Sequence, residues 1–200
     1  KAGLLVGHYH FAGGGSPIAE AEFFIKTIGE LEEGEFIALD WEINHDNPVN
    51  WCHSFLDRCY ELTDLKPLFY TNEARVKQFD WSPISKEEYG LWVAKYGVNN
   101  GQMNGTPVAG SWPYISIWQY TSRGSSTGIT GNVDVNEFYG KLDALKSYGK
   151  KPETTIAPDA PQAHTSVFND TPVPTPIPEE IDAPSPNFWI TLWLKIKELL

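Results

Sequence analysis

The chain has 200 residues, with 15 Lys and Arg against 26 Asp and Glu, a formal net charge of −11, and 14% aromatic residues. Phosphate backbones repel such an acidic chain, and since it has no basic stripe we expect no nucleic-acid partner. Its apolar runs are shorter than the roughly 20 residues that a membrane-spanning helix needs. The sequence starts at Lys1 and shows no basic segment followed by an apolar one, so we predict no signal peptide.

Glycine and proline are distributed unevenly along the chain. All 17 Gly lie within residues 1–149, whereas 9 of the 15 Pro lie between Pro152 and Pro186. The composition predicts a globular domain over residues 1–149, which is long enough for one core. A Pro/Thr-rich linker is predicted over residues 150–186, because this segment is too poor in aromatic residues to build a core.

Short apolar runs alternate with segments of helical periodicity in the first 149 residues. The strands are predicted over 4–11, 36–42, 67–71, 91–97, 114–121 and 132–135. Helices are predicted over 16–31, 48–63 and 135–149. This alternation predicts an α/β fold with a largely parallel sheet, either open or closed into a barrel. We therefore expect functional side chains at the carboxyl ends of the strands.

The strand FIALDWE ends in two carboxylic acids, Asp40 and Glu42. Side chains alternate along a strand, so both acids share one face, roughly 6.6 Å apart at the backbone. At this separation one ionised carboxylate raises the pKa of the other, which allows a protonated acid and a charged partner at one pH. The alternative interpretation is a solvated strand end, at which both acids merely lie outside the core.

A third acid, Asp134, follows a Gly/Ser/Thr-rich loop in the segment NVDVN. It is either a further acid of the same site or the N-cap of the helix predicted over 135–149, a position that Asp favours.

Aromatic and hydrogen-bonding side chains lie near the ends of the other predicted strands. The candidate substrate-binding residues are Tyr9, His10, Tyr70, Trp92, Trp118 and Gln119. Flat rings beside polar groups suit the C–H faces and hydroxyls of a sugar, although core packing is the alternative for each ring. No C-x-x-C or H-E-x-x-H spacing and no phosphate-binding glycine loop occurs, so we expect no metal and no cofactor.

The last segment, NFWITLWLKIKELL, predicts an apolar amphipathic helix over residues 187–200. It is too apolar for a free helix in water and too short to span a bilayer. Docking onto the domain or self-association through 187–200 is the favoured interpretation, and interfacial membrane binding is the alternative.

Taken in order, six motifs resemble those of the glycoside hydrolase family 25 lysozymes, the muramidases common among bacteriophage endolysins. These motifs are GHYHFA, FIALDWE, PLFYTN, LWVAKYG, SIWQYTS and VDVNEF, and they extend over residues 3 to 145. The resemblance implies a modified TIM-like (β/α) barrel. It also implies hydrolysis of the β-1,4 bond between N-acetylmuramic acid and N-acetylglucosamine in bacterial peptidoglycan, hence action on the cell wall, reached from the host cytoplasm in a phage endolysin.

The same resemblance implies roles for individual residues. Glu42 matches the general acid, Asp40 the carboxylate that assists the 2-acetamido group of the substrate, and Asp134 a further site acid. Tyr70 and Trp118 match positions that line the sugar cleft. We expect Asp40 to remain ionised and to hold Glu42 protonated.

The family pattern opens with a strand that carries an Asp-x-Ser motif, a helix and a second strand, whereas Lys1 stands almost directly before the first motif matched here. We therefore expect a barrel that lacks its first strand-helix-strand portion, as in a fragment, a degenerate homologue or a chain that a partner completes. The alternative function is a non-catalytic glycan-binding or structural homologue or fragment that retains the cleft.

Overall fold

Strands and helices alternate along the chain, because each amphipathic helix buries its apolar face against the sheet that its flanking strands build. The computed structural model describes residues 5–151 together with residues 192 and 193. The elements are β1 (Val6–Phe11), α1 (Pro17–Ile28), β2 (Phe36–Asp40), α2 (Pro48–Thr63), β3 (Leu68–Asn72), α3 (Glu73–Gln78), α4 (Ser82–Lys86), β4 (Leu91–Ala94), β5 (Ile117–Gly124), β6 (Val133–Phe138), α5 (Leu142–Ser147) and β7 (Leu192–Trp193).

The strands form one seven-stranded sheet in the order β6-β5-β4-β3-β2-β1-β7. Strands β1 to β5 pair in parallel, and β6 and β7 pair antiparallel with β5 and β1. The carboxyl ends of the five parallel strands therefore meet at one edge of the sheet. Asp40, the last residue of β2, lies at that edge.

Each face of the sheet has its own apolar core. The helix-covered face, called the outer face here, packs Ile37, Leu39 and Trp41 against residues of α1 and α2 such as Phe24 and Phe55. The inner face carries a smaller cluster: Phe36, Ala38, Leu68, Tyr70, Trp92, Ala94, Ile117 and Leu145. The alternation predicted for the strand of Asp40 is therefore confirmed, with Asp40 on the inner face.

The predicted helix over 135–149 is wrong in its first half. Strand β6 continues through Phe138, because its backbone pairs with β5 from Gly124 to Ile117. The helical part is confined to α5, which follows Gly140. Two short helices that no periodicity indicated, α3 and α4, lie between β3 and β4.

The linker predicted over 150–186 and the helix predicted over 187–200 lie almost wholly outside the described residues. Within the second segment, Leu192 and Trp193 are described and pair as strand β7 with Val6 and Gly7, so these two residues are not helical. None of the helices in the described part of the chain has the length and apolar character needed to cross a membrane.

The Glu20 carboxylate fixes the glycine-rich turn between β1 and α1. Its two oxygens accept hydrogen bonds from the backbone N–H groups of Gly13 (2.8 Å) and Gly15 (2.7 Å), and His10 Nε2 lies 2.8 Å from Oε2. Burial alone would raise the pKa of Glu20, but these hydrogen bonds lower it below its ordinary value. At Gly14 the backbone has φ +82°, and a Cβ there would lie 2.8 Å from Ile43.

We expect Glu20→Ala to lower the free energy of unfolding by about 1–3 kcal/mol, since the variant leaves these N–H groups without their charged acceptor. Because the Glu20 pKa is lowered in the folded chain, its stabilising effect is present above the unfolded-state pKa and is lost as the pH falls through the folded-state pKa. Urea unfolding at neutral and acidic pH measures both effects.

Glu22→Ala is the matched control on the same helix. Glu22 pairs with Arg58 at the surface (2.6 Å), and an exposed ion pair contributes about 0–1 kcal/mol. Equal destabilisation by the two variants would contradict the role given to Glu20.

Candidate active site

The inner face gathers polar and aromatic side chains at the carboxyl edge of the sheet. Asp40 is in register with Tyr70 of β3, and Tyr70 is in register with Trp92 of β4. Residues paired in register project to the same face. Tyr9 lies on that face as well, because it pairs with Ala38, two residues before Asp40.

The strand predicted over 36–42 ends at Asp40, so Glu42 lies two residues beyond β2, and it is exposed. Its backbone is held in place by α3, since Arg75 donates to the Glu42 carbonyl oxygen (2.8 Å) and to Asn44 Oδ1 (3.1 Å). Thr71 Oγ1 donates to the Trp41 carbonyl oxygen (2.8 Å). The segment that carries Glu42 is therefore fixed by its backbone, which leaves the carboxyl at the surface.

Asp40 lies in the least solvated position of the candidate acids. Burial, together with the negative charges of Glu42 and Asp134, raises the pKa of Asp40 to about 8. This direction runs against the expectation that Asp40 stays ionised, because burial favours the protonated carboxyl. Asp40 Oδ1 is buried and has no hydrogen-bond partner among the described residues.

Asp134 reaches the same edge from β6. It lies two residues before Asn136, which pairs with Gln119, so the three side chains share the inner face. The N-cap alternative is wrong, because Asp134 is inside β6 and not at a helix start. Desolvation raises the pKa of Asp134, although the residue as a whole is exposed.

A hydrogen-bonded wall of aromatic and amide side chains stands beside these acids. The hydroxyls of Tyr70 (2.8 Å) and Tyr96 (2.5 Å) both donate to Gln119 Oε1. Trp92 Nε1 donates to Asn136 Oδ1 (2.8 Å), and the Trp92 and Tyr70 rings meet edge to face with centroids 5.3 Å apart. These contacts fix the rings in one arrangement.

Tyr9 faces the three acids from β1. Burial raises its pKa, and the charges of Asp40, Asp134 and Glu42 raise it further. The neutral phenol is therefore a hydrogen-bond donor to a substrate across the whole neutral range.

The structure does not bring two of the predicted residues to this site. His10 pairs with Leu39 on the outer face, where it stacks on Phe55 (5.1 Å) and contacts Glu20. Trp118 pairs with Val93, also on the outer face, and its Nε1 donates to the Lys95 carbonyl oxygen (2.8 Å). Strand alternation is the physical reason, since each is one residue away from an inner-face position.

Three further residues belong to the site by position and were not among the predicted set. Phe11 is in register with Asp40 and is 47% exposed, so its ring lies open beside the acid. Tyr96 and Asn136 complete the hydrogen-bonded wall. Alternation from Tyr9 to Phe11 and from Asp134 to Asn136 is the signal that could have identified two of them.

Comparison with known proteins identifies the family of this chain. A sequence model described as glycosyl hydrolases family 25 matches residues 1–129. The chain belongs to glycosyl hydrolase family 25. Over 143 residues it is 29% identical to an autolytic lysozyme of Clostridium acetobutylicum, and over 160 residues 27% identical to the N,O-diacetylmuramidase of a Chalaropsis species.

These matches cover only part of the length of each relative. The first covers 69% of this chain and 40% of the autolytic lysozyme, and the second covers 64% of this chain and 68% of the diacetylmuramidase. A match to a lysozyme of Streptomyces globisporus covers 53% of that protein. The chain thus spans about half the length of the first two curated lysozymes that it matches.

Solved structures of family 25 proteins share the fold. The catalytic domain of an endolysin from a Listeria monocytogenes bacteriophage superposes with a TM-score of 0.55 at 31% identity, covering 70% of each chain. A lysozyme from Streptomyces coelicolor superposes with a TM-score of 0.59 at 25% identity, covering 72% of this chain and 71% of that one. The common element is a mixed α/β fold with a curled, half-barrel sheet.

The raised pKa of Asp40 generates a stability prediction. A carboxyl that binds its proton more tightly in the folded chain contributes stability that is full below its unfolded-state pKa and is lost as the pH rises through about 8. We therefore expect Asp40→Asn to become more stable than the native protein as the pH increases from about 4 to above 8. Urea unfolding across this range measures the difference.

Asp80→Asn is a control of opposite sign. Hydrogen bonds from the Ser82 side chain and backbone lower the pKa of Asp80, so this variant loses stability at neutral pH and not at acidic pH. An Asp40→Asn variant that was less stable than the native protein at pH 8 would contradict the burial argument.

Proposed function

We propose that the protein is a peptidoglycan hydrolase that cleaves the β-1,4 bond between N-acetylmuramic acid and N-acetylglucosamine. The observation that carries the proposal is Asp40, a half-buried acid at the carboxyl edge of a family 25 sheet, two residues before the exposed Glu42. Its Oδ1 atom is buried and has no hydrogen-bond partner among the described residues. Glycoside hydrolysis uses such a pair of carboxyl groups beside the scissile bond. The named lysozymes and muramidase among the relatives support this substrate class.

Glu42 is the proposed general acid. Its carboxyl is exposed while its backbone is fixed by Arg75, so the proton that it donates is presented at a fixed position to an incoming glycosidic oxygen. Proton donation lets the leaving sugar depart as a neutral alcohol.

Asp40 is proposed to assist the 2-acetamido group. Its unpartnered Oδ1 is placed to accept a hydrogen bond from the acetamido N–H, and a hydrogen bond to the charged form favours ionisation. Binding of the substrate would therefore lower the pKa of Asp40 from its raised value.

The remaining inner-face residues are proposed to position the sugar and to complete the charge of the site. Tyr9, Tyr70 and Trp92 would offer their rings to the sugar, and Gln119 holds the hydroxyls of Tyr70 and Tyr96. Asp134 would add negative charge near the positive charge that develops in the transition state. We also propose that the curled sheet is part of a modified TIM-like barrel.

A glycan-binding role without catalysis is the second candidate. In the described part of the chain, the far side of β1 pairs only at Val6 and Gly7, so no strand stands beside Tyr9 and Phe11 on that side of the cleft. A cleft open on this side still offers rings to a sugar, but it confines the scissile bond less. Reducing-end release from purified peptidoglycan separates the two functions.

We propose the bacterial cell wall as the place of action, which follows from the substrate. Self-association through residues 187–200 also remains a proposal, and apart from the backbone of Leu192 and Trp193 this segment lies outside the described residues.

Glu42→Gln is expected to abolish reducing-end release, by at least about a hundredfold, because the amide has no proton to donate. Cosedimentation with insoluble peptidoglycan should persist, since the inner-face rings are unchanged. Glu137→Gln is the matched control, because Glu137 pairs with Trp118 on the outer face. Unaltered release by the Glu42 variant would refute the role of Glu42 as general acid, whereas no release by the native chain would leave the glycan-binding function.

The pH profile tests the raised pKa of Asp40. We expect kcat/KM to rise as the pH increases through about 8, because the proposed assistance uses the ionised form of Asp40. Asp40→Asn should reduce kcat nearly as much as the Glu42 change does. A native profile with no titration near pH 8 would contradict the raised pKa of Asp40.

A further inference from the structure

A cavity lies at the opposite edge of the sheet from Asp40. It has a volume of about 590 Å³, within the range of roughly 300–1,000 Å³ that is usual for ligand pockets. Its lining comes from the end of α2, from residues just before β3, β4 and β5, from the end of β6 and the residue after it, and from α5 and the residues that follow it. Four of the lining residues are tyrosines, Tyr60, Tyr114, Tyr139 and Tyr148, and we call it the tyrosine cavity.

Two of these tyrosines expose large aromatic surface. Tyr114 is 66% exposed and Tyr139 is 51% exposed. Exposed rings grouped around one cavity, unlike rings scattered singly over a surface, are characteristic of a binding site. Phenol rings offer an apolar face and a polar hydroxyl together, so they suit a ligand with both kinds of surface.

Contacts within the protein fix the Tyr148 hydroxyl and the Lys66 ammonium in the tyrosine cavity. The Tyr148 hydroxyl donates to Ser116 Oγ (2.8 Å). The Lys66 ammonium lies 4.9 Å from the centre of the Tyr60 ring and donates to the Glu87 carbonyl oxygen (2.5 Å). A fixed cation and fixed hydroxyls beside open rings form a preorganised polar rim, which lowers the entropic cost of binding.

We propose that the tyrosine cavity is a non-catalytic saccharide-binding site for the glycan chain of peptidoglycan. The C–H faces of pyranose rings would stack on Tyr114 and Tyr139, and their hydroxyl and acetamido groups would bond to Tyr148 and Lys66. The identity of the glycan rests on the proposed function. The proposed catalytic acids lie at the other edge of the sheet, so the ligand bound here would be held and not cleaved.

Such a site would raise the effective concentration of saccharide near the proposed catalytic acids. A polymer held at the tyrosine cavity keeps further saccharide near the carboxyl edge of the sheet, which strengthens attachment to an insoluble wall without a new contact at the acids. Hydrolysis of short soluble oligosaccharides gains nothing from it, because they cannot reach both edges together.

The test uses the full chain with Glu42→Gln, so that glycan binding is measured without cleavage. Tyr114→Ala with Tyr139→Ala is expected to weaken cosedimentation with insoluble peptidoglycan about tenfold, since two stacking surfaces are lost. Both side chains are exposed, so their truncation should leave the thermal midpoint unchanged. Tyr114→Phe with Tyr139→Phe keeps the rings and should retain binding.

A second measurement separates this proposal from the proposed function. NMR titration of the full chain with tri-N-acetylchitotriose should shift the amide signals of Tyr114, Ser116 and Tyr148. Such shifts in a protein that releases no reducing ends would support the saccharide site while the catalytic proposal failed. Unaltered cosedimentation of the alanine variant, or chitotriose shifts confined to the inner-face residues around Asp40, would overturn the proposal.

Discussion

The burial of Asp40 at the end of an otherwise apolar strand is the constraint on which the candidate site depends. The four residues before it in β2 are buried, and alternation sends Ile37 and Leu39 to the helices and Ala38 to the inner face. Asp40 is the first position of the strand at which the chain can offer a polar group without breaking the core. Its backbone carbonyl still accepts a bond from Ala12 (3.0 Å), so the carboxyl is displayed on an ordered strand.

The burial of Asp40 favours the proposed function but is unfavourable for folding. An unpartnered carboxyl oxygen in a desolvated position is unfavourable for folding, and such groups are concentrated where a ligand supplies the missing partner. The neighbouring acids add to this cost, since their charges and the burial together raise the pKa of Asp40 to about 8. The hydrogen bonds of the wall from Tyr70 to Asn136 fix the side chains beside Asp40 in one arrangement.

Much of the fold is predictable because periodicity reports which face is buried. The strand ending at Asp40, the helix beginning at Pro17 and the helix beginning at Pro48 all follow from local signals, namely apolar alternation and proline at the first helical turn. The structure of the segment after Val135 does not follow from local signals, because its sequence pattern fits a helix as well as a strand. Only its pairing with β5 makes it a strand. Tertiary pairing overrides local preference at such positions.

The acids of the candidate site could be predicted from the sequence, but not all of its aromatic residues could. Asp40 and Glu42 lie at and just beyond the end of β2, and Asp134 lies at the start of the antiparallel strand β6, so the three acids meet at one edge of the sheet. His10 and Trp118 differ from Tyr9 and Gln119 by one residue, and that single step moves a side chain through the sheet to the helix side. Motif resemblance identifies the strand, whereas the register decides the face. The tyrosine cavity could not be predicted in either way. Its residues come from the end of α2, the segments before three strands, the end of β6 and the region of α5, and only the folded chain brings them together.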